Sequence, residues 1–254
     1  MIGPTPLLDF FKRGEAPRDA RLLAAQGVLA PRAPEQLAIL VLLLGDREVE
    51  IRTVAEATLN RIPVAALQAY LARTDVPLGL REFFGDRGVF PGEIPAIEAD
   101  EPLIDAGESD VAGELDRDTA VQKLAAMSFT ERLKSAVKGT REMRAILIRD
   151  PNKMIAAAVL SSPKMSDSEV ESFARMTSVS EDVLRIIGNN RVWTKNYGVV
   201  VGLSRNPKTP LGMSLNLLGR LNARDVAMLS VDRNVPETLR IAARKKVVAS
   251  VSGH

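Results

Sequence analysis

The stretch YGVVVGLSRNPKTP, Tyr197 to Pro210, decides the fold class. Its first half, Tyr197–Leu203, is the one β-branched run in the chain and has the composition of a short strand. A strand must pair with another, and the sequence around this run reads as helix on both sides. The run therefore predicts a buried helix, and the chain an all-α fold.

The second half has an echo. LSSPKMS, Leu160 to Ser166, places Leu-Ser, a polar spacer and Pro-Lys before a residue able to cap a helix, as LSRNPKTP does from Leu203 to Pro210. Capped starts fall at Ser128, Ser166 and Thr209, a second set near Thr140, Ser180 and Asn222, and a third at Pro151, near Trp193 and at Pro236. SFTE (Ser128–Glu131) and SDSE (Ser166–Glu169) have capping-box spacing. EDVLRI (Glu181–Ile186) precedes RDVAML (Arg224–Leu229) by 43 residues, the spacing that also separates Leu160 from Leu203 and Pro34 from Pro77. Prolines at 17, 34, 63, 77, 151, 210 and 236 each precede an apolar periodic stretch and are expected in first helical turns, with Asp150 and Thr209 as caps. Three units of helices are expected, at about 128–163, 166–207 and 209–249. A period of this length with two or three helices per unit is that of an α-solenoid.

Two segments carry a family resemblance. DREVEIRTVAEATLNRIP, Asp46 to Pro63, resembles the second helix of a HEAT repeat, and DRNVPETLRIAARK, Asp232 to Lys245, a terminal HEAT-like helix with a ladder of Arg and Lys. The chain thus resembles a divergent bacterial member of the HEAT/armadillo-like superfamily, over 120–254 and 17–85. The resemblance implies helical repeats of about 38–44 residues whose usual work is to offer interaction surfaces.

Charge divides the chain of 254 residues. Residues 1–85 hold 10 basic and 10 acidic side chains, residues 86–118 hold 2 and 11, and residues 119–254 hold 22 and 11. Gly85–Asp118 also contains five glycines and three prolines and no helical apolar period. The expected organisation is a helical lobe at 1–85, an acidic flexible linker at 86–118 and a basic helical-repeat lobe at 119–254. The linker either remains a solvated tether or docks on the basic lobe, with Ile94, Ile97, Leu103 and Ile104 as anchors.

Composition removes whole classes of chemistry. There is no cysteine, so no disulfide, thiolate metal site or cysteine nucleophile, which fits a reducing compartment. The single histidine is His254, which leaves no histidine triad or histidine metal cluster. GTREMR lacks phosphate-loop spacing, and the acidic run EADEPLIDAGESD lacks the spacing of a calcium loop. No cofactor, metal or catalytic residue is expected. The longest apolar run, LAILVLLLG (Leu37–Gly45), falls short of the ~20 residues that span a bilayer. The amino terminus lacks a signal-peptide pattern. A cytoplasmic protein without membrane insertion is expected.

One cluster remains. GNNRVWTKNY, Gly188 to Tyr197, gathers Asn189, Asn190, Arg191, Trp193, Lys195, Asn196 and Tyr197, including the only tryptophan. An Asn and a Trp on one helix turn resemble the peptide-binding ladder of armadillo proteins, although Trp193 and Asn196 are three apart rather than four and the pair occurs once. The other reading is that Trp193 and Tyr197 fill a junction between repeats. The final unit adds a basic set that includes Arg205, Lys208, Arg240 and Arg244. The expected function is a noncatalytic scaffold or adaptor that binds an acidic or extended protein segment through these residues. The alternative is nucleic-acid binding through the same basic face. Some HEAT-like DNA glycosylases have such a shape, but their aromatic-plus-acid excision site is not recognisable here.

Overall fold

A computed structural model describes residues 5–29, 32–95, 101–104 and 117–252, and every regular element among them is helical. Two compact units form, one from residues 1–147 and 154–164, the other from 148–153 and 165–254. The first holds α1 (Pro6–Lys12), α2 (Arg18–Ala25), α3 (Ala33–Leu43), α4 (Val49–Arg61), α5 (Val64–Leu71), α6 (Leu78–Gly85), α7 (Arg117–Ala125), α8 (Phe129–Lys138), α9 (Arg141–Leu147) and most of α10 (Lys153–Leu160). The second holds α11 (Asp167–Arg175), α12 (Glu181–Asn189), a 3₁₀ turn at Trp193–Lys195, α13 (Tyr197–Arg205), α14 (Leu211–Leu218), α15 (Ala223–Val231) and α16 (Glu237–Ser252). Helices this short are marginal alone and are held by packing.

The division differs from the expected one. Residues 1–85 and 119–254 do not form separate lobes: α8 packs on α2, and the Leu7 N–H donates to the buried Ser161 Oγ at 3.0 Å. Aliphatic burial drives this grouping, with Leu7, Leu133, Ile155 and Val159 all fully enclosed. The strip 86–118 is not a free linker where it is described. Gly92 N–H donates to the Gln68 carbonyl at 2.9 Å, and residues 101–104 lie against α3. Of the expected anchors, Ile104 does bind, but to unit 1 rather than to the basic residues; Ile94 is exposed, and Ile97 lies outside the described residues.

Helix starts follow local chemistry. Ser128 and Ser166 each close a full capping box with Glu131 and Glu169. Ser180 and Asn222 accept the N–H groups of Val183 and Asp225. The prolines differ in detail from expectation. Pro17, Pro63, Pro77 and Pro210 stand at the extended cap position rather than inside the first turn, while Pro34 does lie within α3. Pro210 thereby displaces Thr209, which is buried and caps nothing. Asp150 accepts the Asn152 N–H at 2.8 Å, so α10 begins only at Lys153.

The echo between 160–166 and 203–210 has a mechanical basis. Leu160 and Leu203 are buried at the ends of α10 and α13. The next residue, Ser161 or Ser204, returns its hydroxyl to the carbonyl four residues back, Ala157 at 2.9 Å or Val200 at 2.8 Å. A following polar side chain then ties the exit to an earlier helix: Ser162 donates to the Val137 carbonyl of α8, and Asn206 to the Ala174 carbonyl of α11. Asn or Asp also turns the chain at helix exits. Asp46, Asn190, Asn206 and Asp232 accept the N–H two residues on, at 2.9, 2.9, 3.1 and 2.9 Å. Between α12 and α15 the matching offset is 42 residues, since Leu184/Val226 and Ile187/Leu229 are the buried pairs and Asn190/Asp232 the paired exits. The sequence match of EDVLRI to RDVAML is one residue out of that register.

The Tyr197–Leu203 run is helical, as expected, and its two glycines let a neighbour approach closely. A Cβ on the buried Gly202 would lie 3.0 Å from Arg175 Cγ and 3.1 Å from Ala174 Cβ, so α11 and α13 pack with almost no spacer. Gly202→Ala gains helix propensity of about 1 kcal/mol against a slight clash, and little net change is expected. Gly202→Val adds two methyl groups with no room and is expected to lose about 2 kcal/mol. Urea unfolding of the two variants measures the difference; equal midpoints would mean that the helices separate freely.

Candidate functional site

The Gly188–Tyr197 cluster forms the turn from α12 into α13. Asn190 closes α12 by accepting the N–H groups of Val192 and Trp193, at 2.9 and 3.3 Å. Asn196 opens α13 by accepting the Gly198 N–H at 2.8 Å. Two of the three asparagines are thus committed to the backbone of their own turn, and only Asn189 is exposed without such a bond. Trp193 is half-buried in the 3₁₀ turn, and Val192, 67% exposed, stands beside it.

Tyr197 fixes this turn to the entry of α15. Its hydroxyl donates to Asp225 Oδ2 at 2.6 Å and accepts the Asn222 N–H at 3.1 Å, while Arg205 reaches Asp225 Oδ1 at 3.1 Å. Partial desolvation raises the Tyr197 hydroxyl above its ordinary pKa; the Asn222 N–H pulls against that, and the Asp225 carboxylate adds to the rise. Arg220 donates to the Thr194 carbonyl inside the 3₁₀ turn. The α12–α13 turn and the entry to α15 therefore form one edge, with Arg191, Val192, Trp193, Lys195, Tyr197 and Arg224 at its surface.

The other named cations lie elsewhere. Lys208 Nζ donates to the Val179 carbonyl at 3.2 Å, at the opposite end of α12 from Trp193. Arg244 Nε donates to Ser230 O at 3.0 Å, near the far end of α15. Lys246 holds the Leu218 carbonyl at 2.7 Å. Arg240, on α16, is half-buried. Arg244 and Lys246 satisfy carbonyls in the last turns of α15 and α14, which helix ends leave open, and Lys208 satisfies one just before α12. Much of the basic character of this unit is thus structural; Arg191, Lys195, Arg224, Arg233 and Lys245 are exposed cations of it with neither such a bond nor an ion pair among the described residues, whereas Lys153, Arg175 and Arg185 are ion-paired.

No protein-family model, curated protein or solved structure matches the chain. Among the described residues no three His, Cys, Asp or Glu side chains gather as metal ligands, and no helix is long and apolar enough to cross a membrane. Asp225 is the member of the edge that the sequence alone does not mark; Asn222 is expected there only as a helix cap, and Arg220 only as part of the basic set of the final unit. The available signal was an Asp in the first turn of α15, a position otherwise explained by the helix dipole.

Proposed function

We propose that the chain is a noncatalytic scaffold of HEAT/armadillo-like solenoid character, and that the Arg191–Tyr197 edge of unit 2 binds an acidic or extended segment of a protein partner. The observation that carries this reading is the half-buried Trp193 and the 41% exposed Tyr197 held in place by Asn190, Asn222 and Asp225 among uncommitted cations. Aromatic anchors fixed beforehand lose little entropy on binding and commonly dominate interface energy. A nucleic-acid track draws less support, because Arg205, Lys208, Arg220, Arg244 and Lys246 are bonded within the unit. The absence of cysteine suits a cytoplasmic setting.

The test is capture from native lysate by the full chain, with and without nuclease, beside a Trp193→Ala/Arg191→Glu variant. A protein retained after nuclease and weakened at least tenfold by the variant is expected. Material lost to nuclease, or retained equally by the variant, would refute the assignment.

A further inference from the structure

Residues 101–104 are seated on unit 1 as a bound peptide would be. The Gln36 side-chain amide, only 1% exposed, accepts the Ile104 N–H at 3.1 Å through Oε1 and donates to the Ile104 carbonyl through Nε2. Three residues earlier on the segment, the Glu101 carbonyl accepts the Ala33 N–H at 2.9 Å, from the first turn of α3. One residue's N–H and C=O pair are thus read by one amide, which requires an extended backbone and no particular side chain. Side-chain selection falls on Ile104. Gly27, just past α2 with φ +79°, lacks the Cβ that would stand 3.2 Å from Ile104 Cγ2 and 3.3 Å from Thr58 Cγ2. The Glu101 side chain is exposed and takes no part.

We propose that the surface made by Gly27, Ala33, Gln36 and Thr58 is a binding site for an extended peptide segment, and that residues 101–104 occupy it in cis as a replaceable pseudoligand. The partner it fits is an extended segment of another protein with an aliphatic residue where Ile104 lies and a free N–H and C=O at that residue. The occupant already seated states this chemistry. Among the described residues, three hydrogen bonds and the Ile104 side chain hold it, so tethering rather than contact strength keeps the site filled; a tether supplies an effective concentration on the order of millimolar. This site is separate from the unit 2 edge, and it stands or falls without it.

The probe is a fluorescein-labelled peptide of residues 99–108, ADEPLIDAGE, with binding read by fluorescence polarisation. A full-length Ile104→Ser variant loses the seated side chain, and is expected to vacate the site and bind the peptide at least tenfold more tightly than the native chain. Adding Gln36→Ala, or changing Ile to Ser within the peptide, is expected to abolish binding. Failure of the vacated chain to bind while its helical dichroism and cooperative melt are intact would overturn the proposal, as would binding indifferent to Gln36. The native chain gives an independent reading: millimolar unlabelled peptide should accelerate hydrogen exchange at the Ile104 amide as the cis segment is displaced. Unchanged exchange would overturn the proposal, and so would a doubled mass in light scattering reversed by peptide, because the occupant would then be a second copy.

Discussion

Glu35→Gln should leave the protein about as stable as the native chain near pH 4.5 and several kcal/mol more stable near pH 8. Glu35 lies in the first turn of α3, 4% exposed, and neither carboxylate oxygen has a hydrogen-bond partner. A helix amino terminus ordinarily favours a carboxylate, and Arg32 acts in the same direction. Burial outweighs both and pushes the carboxyl up to about 8 from an ordinary 4.5. The folded state therefore keeps its proton after the unfolded chain has lost it. Below pH 4.5 both states are protonated and the group has no effect. Between 4.5 and about 8 stability falls as pH rises, at ~1.4 kcal/mol per unit, to a total of about 4 kcal/mol. The amide of Gln does not titrate, so that slope should vanish from the variant. Urea denaturation at half-unit steps from pH 4.5 to 8.5 measures both chains. Parallel curves would mean that Glu35 is ionised in the folded state and bonded to water.

What was legible in the sequence was what is local. The capping boxes at Ser128 and Ser166 need only four residues each to form, and their spacing shows them. The helical state of Tyr197–Leu203 follows from the lack of a second strand to pair with, even though its β-branched residues favour the other answer. The repeated Leu-Ser at the exits of α10 and α13 was visible as a repetition, although the bonds that require it were not. Contacts distant in sequence left no trace. The Leu7–Ser161 bond spans 154 positions, and nothing near either residue announces the other, so the division at 86–118 followed composition where the structure follows burial. The candidate site divides in the same way. Trp193 and Tyr197 stand at one edge, as their proximity in sequence suggests. Charge alone groups Lys208 and Arg244 with them, and the carbonyls they satisfy lie at the other ends of the helices. Charge counts cannot distinguish a cation offered to a partner from one that completes a helix end.

Asn206→Asp, a change of one atom type, is expected to cost about 3 kcal/mol at neutral pH. Asn206 stands in the middle of the repeated exit turn and is 3% exposed. Its Nδ2 donates to the carbonyls of Ala174 at 3.0 Å and Met176 at 2.9 Å, and its Oδ1 accepts the Lys208 N–H at 3.1 Å. A carboxylate retains the last bond, loses both donors and sets a buried negative oxygen against two carbonyl oxygens. The folded state would resist ionisation, so the introduced carboxyl would have a pKa above its unfolded value of ~3.9. The deficit should then grow as pH rises through that range and shrink in acid, where a proton on the carboxyl restores one donor to a carbonyl. Asn189→Asp, on the exposed end of α12, is the control and should change stability by less than about 0.5 kcal/mol. Thermal melts of both variants at pH 5 and pH 7.5 give the comparison. If Asn206→Asp matches the control at both values, the α11 carbonyls find water when the amide leaves, and the asparagine is a turn residue like those at 46, 190 and 232 rather than the tie between α13 and α11.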